Sequence, residues 1–373
     1  MKKKYLRIFS GLLIAVLLVP LFAITASAAS KITLKSGAAQ PDPVTADITE
    51  PVREVFVEIS WDDMSFTYTA PSKGTWNPET HAYENSTDGG WTADGGNITV
   101  TNNGSEAVAA KFAYTPAQGF SEITGVFSQA LLTVEPEKQA TAKLTLSGKP
   151  TEEFENKELG TVTVTVGRAT LISTAEELLA TANKTGVFVL TDGINLENLR
   201  LDITSSDYTL DLSGHGLISS DYITVTVHNG AALTLMNGTV HNSNMQGYGY
   251  ALDNYGNTMV ENCEIVGRGS SYAITNGGIL SIKDSEISGS NSYGETLLHS
   301  NQYYTEGKNI VLTLSGNISM SGKIRVSQAF DYPAPTVNIL PGTYSFDVTE
   351  YVDTDLYTVT KNEETGIWTV AAK

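Results

Sequence analysis

Between Leu210 and Tyr344 one phrase returns every 22 to 25 residues: two apolar positions, two residues apart, then a turn-forming Asn, Asp or Gly two residues later. Leu233-Thr234-Leu235-Met236-Asn237 comes back as Thr258-Met259-Val260-Glu261-Asn262 and as Leu280-Ser281-Ile282-Lys283-Asp284. Weaker copies stand at Leu210, Leu212 and Gly214, at Leu312, Leu314 and Gly316, and at Val337, Ile339 and Pro341. A second phrase keeps the step, with Asn229-Gly230 mapped onto Asn254-Tyr255 and then onto Asn276-Gly277. A fixed period of this length means stacked coils, none of which buries its apolar face alone. The C-terminal half is therefore expected to wind as a β-solenoid with Leu235, Val260 and Ile282 in one inward column, and function is expected on its ribbed surface.

The first 28 residues read as an export signal: Lys2, Lys3, Lys4 and Arg7 precede an apolar run from Ile8 to Ile24, and Ala26-Ser27-Ala28 supplies small residues for cleavage. The mature chain is expected to be secreted, or held at the cell surface, with no membrane span after cleavage. Without the signal, Lys and Arg fall from 23 to 19 against 41 Asp and Glu, a formal charge of −22. Such an excess of acid argues against nucleic acid as a partner, and against anionic polysaccharides unless a divalent cation intervenes. The one cysteine, Cys263, has no partner for an intrachain disulfide and reads as a small packed side chain, so core burial must supply stability.

Residues 29–51 carry Ala, Pro, Thr and Asp without periodicity and read as an extended leader. Over 52–168 the pattern becomes strict alternation, as in Val55/Val57/Ile59, Ile98/Val100, Val108/Ala110/Phe112/Tyr114 and Val162/Val164/Val166, broken by turn clusters. Short strands with one apolar face predict an antiparallel β-sandwich. Ser173-Thr174-Ala175-Glu176 reads as a capping box opening a helix near 173–185, placed to cover the open end of the solenoid that fills 169–373.

Asn97-Ile98-Thr99-Val100-Thr101-Asn102, with the strand ending at Tyr114, resembles the immunoglobulin-like modules of bacterial surface proteins, although it lacks a Cys pair. Ile172 to Leu178, Leu210-Asp211-Leu212-Ser213-Gly214-His215 and the Asn-Gly phrases resemble the right-handed parallel β-helix of pectate-lyase-like surface proteins from Gram-positive bacteria. The resemblance implies an all-β chain: an Ig-like module, a short capping helix and a right-handed β-helix. It does not imply one activity, since lyases, hydrolases, adhesins and structural spikes share the architecture.

Gly214-His215-Gly216 resembles a polygalacturonase signature, but the paired aspartates that would precede it are missing and Lys323-Ile324-Arg325 reverses the downstream order, so it reads as a turn. Asp253, Glu264 and Glu286 are the acids available to a polysaccharide lyase or glycoside hydrolase, the alternative to a non-catalytic role. Asn229, Asn254 and Asn276, with Asn237, Asn262 and Asp284, read as ladders that satisfy turn backbones. The loops are richer in ligand-binding chemistry: Tyr248, Tyr250, Tyr255, Tyr272, Tyr293, Tyr303 and His299 lie between strand phrases, and the longest insertion runs from Ser288 to Lys308. Insertions in a solenoid collect on one face, and Tyr offers a flat apolar ring with a hydroxyl at its rim. The sequence thus points to an adhesin-like protein that binds an extracellular glycan or a host or cell-surface protein through a Tyr-rich loop face. It calls for no metal or cofactor, and it leaves the oligomeric state open.

Overall fold

The computed structural model describes residues 55–87, 89–151, 157–244, 248–269, 271–289, 291–301, 309–329 and 333–373. The export signal, the leader and, within the insertion up to Lys308, residues 290 and 302–308, Tyr303 among them, lie outside the described residues. The chain forms two compact units that divide between Ala169 and Thr170.

In the first unit, Val57–Trp61, Asn97–Asn102, Gln139–Ser147 and Thr124–Phe127 make one antiparallel sheet, in the spatial order first strand, Asn97–Asn102, Gln139–Ser147, Thr124–Phe127. Val108–Pro116 pairs antiparallel with Leu131–Val134 on one side and with the strand beginning at Gly160 on the other. Alternate residues of both sheets enter one core: Ile98, Val100, Ala142 and Leu144 from the first, Val108, Ala110, Phe112, Leu132, Val134, Val162 and Val164 from the second. The period of two seen in the sequence is the pleat itself, which sends successive side chains to opposite faces. Asn102, fully buried, donates to the carbonyls of Glu106 (2.7 Å) and Val134 (2.9 Å) and accepts from Gly104 N–H (3.0 Å), tying the two sheets' loops together.

The second unit is a right-handed β-solenoid of about six turns. Each coil presents strands to three parallel faces. The first face runs Gly186–Leu190, Tyr208–Asp211, Ala232–Asn242 (first half), Asn257–Val266 (first half), Ile279–Lys283, Val311–Met320 (first half) and Thr336–Tyr344. The second face holds the later halves of the long strands, with Gly216–Ser219 and Glu286–Ser288. The third runs Leu201–Ile203, Ile223–Val227, Tyr248–Asn254, Ile274–Asn276, Glu295–Ser300 and Lys323–Ser327.

The expected inward column exists. Leu210, Leu235, Val260, Ile282, Leu314 and Ile339 occupy one register row, and none is more than 2% exposed. Between the first and second faces the chain bends through left-handed residues: Asn237 (φ 58°), Asn262 (φ 53°) and Asp284 (φ 46°), followed by Gly316 (φ 69°). Asn and Asp tolerate that conformation better than other side chains bearing a Cβ, which is why the repeated phrase ends in them. Asn237 and Asn262 form a side-chain ladder with Asp211 along the outside of the bend: Asn262 donates to Asn237 Oδ1 and Asn237 to Asp211 Oδ1, both at 3.1 Å, while Asp284 Oδ1 accepts Asn317 N–H (2.8 Å).

The helix is shorter than the sequence predicts. It spans Ala175–Leu179, its N-cap is Thr174 rather than Ser173, and Glu177 rather than Glu176 completes the capping box. Glu177 Oε2 accepts the backbone N–H groups of Ser173 (2.8 Å) and Thr174 (3.1 Å), while Thr174 Oγ1 accepts Glu177 N–H (3.2 Å). The helix stops because Thr181 turns inward, sharing a hydroxyl bond with Tyr208 (2.6 Å) and donating to Leu178 O (2.6 Å). Leu178 is fully buried in the solenoid core. At the far end, Trp368–Ala372 and Tyr357–Lys361 add two antiparallel strands beyond Thr336–Tyr344, and Val370 and Trp368 pack on the same core.

Candidate binding face

The third face carries the most varied outward chemistry. Asp202, Thr226, Asp253, Thr275, Leu298 and Arg325 form its central outward row, one residue per coil. At its early end, Asp202 accepts from Arg200 Nε (3.0 Å) and meets His228 Nε2 (2.9 Å), all three groups being partly exposed. Asp253, two rungs on, is only 5% exposed. Burial pushes its carboxyl above the usual range, opposed by hydrogen bonds from Thr275 and Tyr255 and by the charges of Arg200 and His228. Thr226, between the two aspartates, has a buried hydroxyl with no partner among the described residues, as does Ser271.

At the late end, Glu295 is 8% exposed and accepts from Asn291 Nδ2 (2.7 Å), Tyr272 Oη (3.1 Å) and Arg325 Nη1 (3.3 Å). Burial raises its pKa, but these donors outweigh burial and hold the carboxylate below its ordinary value. Asn291 Oδ1 also takes the backbone N–H groups of Tyr293 (2.9 Å) and Glu295 (3.0 Å), a local turn that leaves Tyr293 75% exposed.

The tyrosines read from the sequence border this face on both sides. Tyr250, Tyr272 and Tyr293 lie in successive coils where the chain passes from the second face to the third, with exposed Tyr222 one coil earlier. That corner is locked by fully buried Asn242, which donates to Asp221 O (2.8 Å) and Tyr250 O (3.1 Å). A Cβ on Gly249 would collide with its Oδ1, so the glycine between Tyr248 and Tyr250 is required by close approach. Tyr255 stands on the opposite edge, between the third and first faces, against Gly277 of the next coil. The Tyr248 side chain, like Tyr303, lies outside the described residues.

His299 belongs elsewhere. It is fully buried at the end of an inward amide column: Asn254 Nδ2 donates to Asn276 Oδ1 (2.8 Å), Asn276 Nδ2 to His299 Nδ1 (3.0 Å), and His299 Nε2 to Thr336 O (3.0 Å). Its strand position, paired with Asn276, points it inward, so it is not a loop-face ligand. Asn229 does not enter this column. Val227 is the rung mate of Asn254, because residues 228–231 form a corner two residues longer than the 255–256 corner of the next coil.

The alternative acids are divided. Glu264 and Glu286 are rung mates on the second face, in an open groove with Thr239, Asp284, Ser319 and Tyr344, while Asp253 is on the third face. Glu264 is engaged by Thr239 Oγ1 (3.1 Å). The residues lining that groove include no Lys, Arg or His to abstract a proton. Glu261, one face earlier, is paired with Lys283 at 2.6 Å. Cys263 is buried and its thiol is pushed up to about 12 by that burial, which makes it unreactive. Gly214-His215 is a turn, with Gly214 at φ 85° and His215 N–H bonded to Leu212 O (2.7 Å). Among the described residues no group of three or more His, Cys, Asp or Glu is placed to hold a metal ion, and no helix is long and apolar enough to cross a membrane.

The sequence pattern did not single out Arg200, Arg268 and Arg325. They are the only arginines after Arg168, and each lies in or directly before a strand of the third-face sheet. The signal was available in the spacing of a rare residue type, but only the strand pairing assigns the three to one sheet. No protein-family model matches the chain, and no curated protein or solved structure matches it either.

Proposed function

We propose that this is an exported, non-catalytic, adhesin-like protein that binds a glycan or protein partner through the third face of its solenoid. In this reading the first unit is an Ig-like spacer, the solenoid is a β-helix of the pectate-lyase-like kind, and the setting is the surface or surroundings of a Gram-positive cell. The observation that carries the proposal is that Tyr250, Tyr255, Tyr272 and Tyr293 border the third face while all three solenoid arginines lie in or directly before strands of its sheet, in a chain with 41 acidic and 23 basic residues. Tyr and Arg are the residue types most enriched where proteins recognise partners, because both present broad surface and directional donors at low entropic cost. A row with a fixed rise of about 4.8 Å per coil suits an extended ligand better than a compact one.

The test is binding of the mature protein to a glycan array and to cells, beside a variant carrying Tyr272→Ala and Tyr293→Ala. The expected result is loss of signal by about tenfold or more, with thermal unfolding little changed. Undiminished binding removes the third face from the function. Release of reducing or unsaturated sugars by the purified protein replaces this reading with the enzymatic one.

A further inference from the structure

At the late end of the third face an exposed cation is held in place by a buried anion. Glu295 Oε2 accepts from Asn291 Nδ2 (2.7 Å), Tyr272 Oη (3.1 Å) and Arg325 Nη1 (3.3 Å). Two neutral donors already serve that oxygen, and Arg325 is added to them with its side chain still 47% exposed. Its bonds to Glu295 and Tyr272 leave other guanidinium donors unused. A β-bulge sets this geometry: Glu295 pairs with Lys323, yet Leu297 pairs with the very next residue, Ile324. Bulges re-aim side chains at sheet edges and beside functional sites. This one brings Glu295 level with Lys323, which is exposed and has no ion-pair partner among the described residues. Lys323 and Arg325 flank the inward Ile324, so both leave the strand on its outer side. Two cations thus stand beside one carboxylate in a chain with 41 acidic and 23 basic residues.

The mix of groups narrows the ligand. A guanidinium held from one side offers its remaining donors as a fork that matches a planar carboxylate in parallel hydrogen bonds. Beside it, Glu295 Oε1, bonded to Arg325 at 3.5 Å, and the Tyr272 hydroxyl have lone pairs left for hydroxyl donors. A carboxylate with hydroxyls on neighbouring carbons is the chemistry of a sugar acid, whereas an Asp or Glu side chain brings the carboxylate alone. Three rungs toward the early end stands Asp253, and two rungs beyond it Asp202, which repel any further anionic group. A polyanion is therefore excluded where one terminal acid is welcome. On the reading that the third face binds a glycan, we propose that its late end takes a single carboxylated sugar residue of an otherwise neutral chain. Arg325 and Lys323 meet the carboxylate, and Glu295 is the positioning residue that aims the guanidinium.

The experiment is a calorimetric titration of the mature full-length protein with matched oligosaccharides: neutral chains, the same chains ending in glucuronate, galacturonate or N-acetylneuraminate, and sulfated counterparts. It is repeated with Arg325→Gln, Arg325→Lys, Glu295→Gln, Lys323→Ala and the first-face variant Met259→Ala, a side chain 47% exposed. The expected result is that at least one carboxylated chain binds about tenfold or more tighter than its neutral match. That preference should vanish in Arg325→Gln, stay lost in Arg325→Lys, shrink in Glu295→Gln and Lys323→Ala, and persist in Met259→Ala. Lys323 has no ion pair to lose, so its variant tests the charge even where Glu295→Gln weakens the strand. Equal affinity for the matched chains overturns the proposal, as does a preference that survives Arg325→Gln. Sulfated chains bound as tightly as carboxylated ones overturn the carboxylate fork, and acidic peptides that bind through Arg325 where no sugar does overturn the sugar. The reading of the third face fails separately: it falls if neutral-chain binding survives Tyr272→Ala with Tyr293→Ala, and stands if that binding is lost while the acid preference is absent.

Discussion

Asn276 gives one amide hydrogen to Nδ1 of His299 across 3.0 Å inside the solenoid, and the opposite ring nitrogen donates to the Thr336 carbonyl. The ring must therefore be the neutral tautomer protonated at Nε2, and protonation of Nδ1 would set two donors face to face.

Acid should consequently weaken the second unit. Burial lowers the His299 pKa from 6.5 to about 4. Between those values the unfolded chain binds a proton that the folded chain refuses, so stability is full above pH 6.5 and falls as pH drops toward 4. The loss attributable to this residue approaches about 3 kcal/mol. Urea unfolding at pH 7 and pH 4.5 checks it: the wild type should lose more than His299→Asn, and equal losses refute the assignment.

Leu235 and Ile282 lie in the inward column with no exposed surface. Leu235→Ala should cost about 3 kcal/mol, within the range for buried leucines, and Ile282→Val about 1 kcal/mol. Chemical denaturation of the two variants measures both, and a Leu235→Ala cost below the Ile282→Val cost contradicts the packing described.

Asn262 combines φ 53° with a side-chain bond to Asn237. Asn262→Val should cost about 2 kcal/mol, since a β-branched residue is strained there, while Asn262→Gly should cost under about 1 kcal/mol. The ranking of the two melting temperatures is the readout, and the reverse order rules out backbone conformation as the reason for Asn.

Thr174 caps a helix whose Leu178 covers the first coil. Thr174→Ala should destabilise the second unit by about 1 kcal/mol and raise amide exchange first near Gly186–Leu190. Uniform exchange along the solenoid would mean the helix does not protect that end.

The coil stack was legible because its signal lies in inward positions, where register and burial leave little freedom: Leu235, Val260 and Ile282 superpose as their spacing required. Corners carry no such constraint. The four-residue link 228–231 and the two-residue link 255–256 join the same two faces, so constant spacing misaligned Asn229 with Asn254. His299 looked like a loop residue because its neighbours Asn301 and Gln302 are polar, although it continues the Asn254 and Asn276 series that period alone could have revealed. The antiparallel pair Thr75–Asn77 and Ala82–Glu84 leaves no strand signal in the sequence, because each strand has three residues and no buried face, so alternation has nothing to mark. Its trace in the sequence is the pair Trp76 and Tyr83 flanking Asn77-Pro78-Glu79-Thr80.

Because corners of different length leave the strand pairing intact, the solenoid works as a ruler whose graduations are independent of what hangs from them. Each winding advances by one interstrand spacing, about 4.8 Å, whether its links are short or long. Loops at Tyr272 and Tyr293 can thus be exchanged or enlarged while the axial positions of Asp202, Asp253 and Arg325 stay put, and recognition can change without the scaffold being rebuilt.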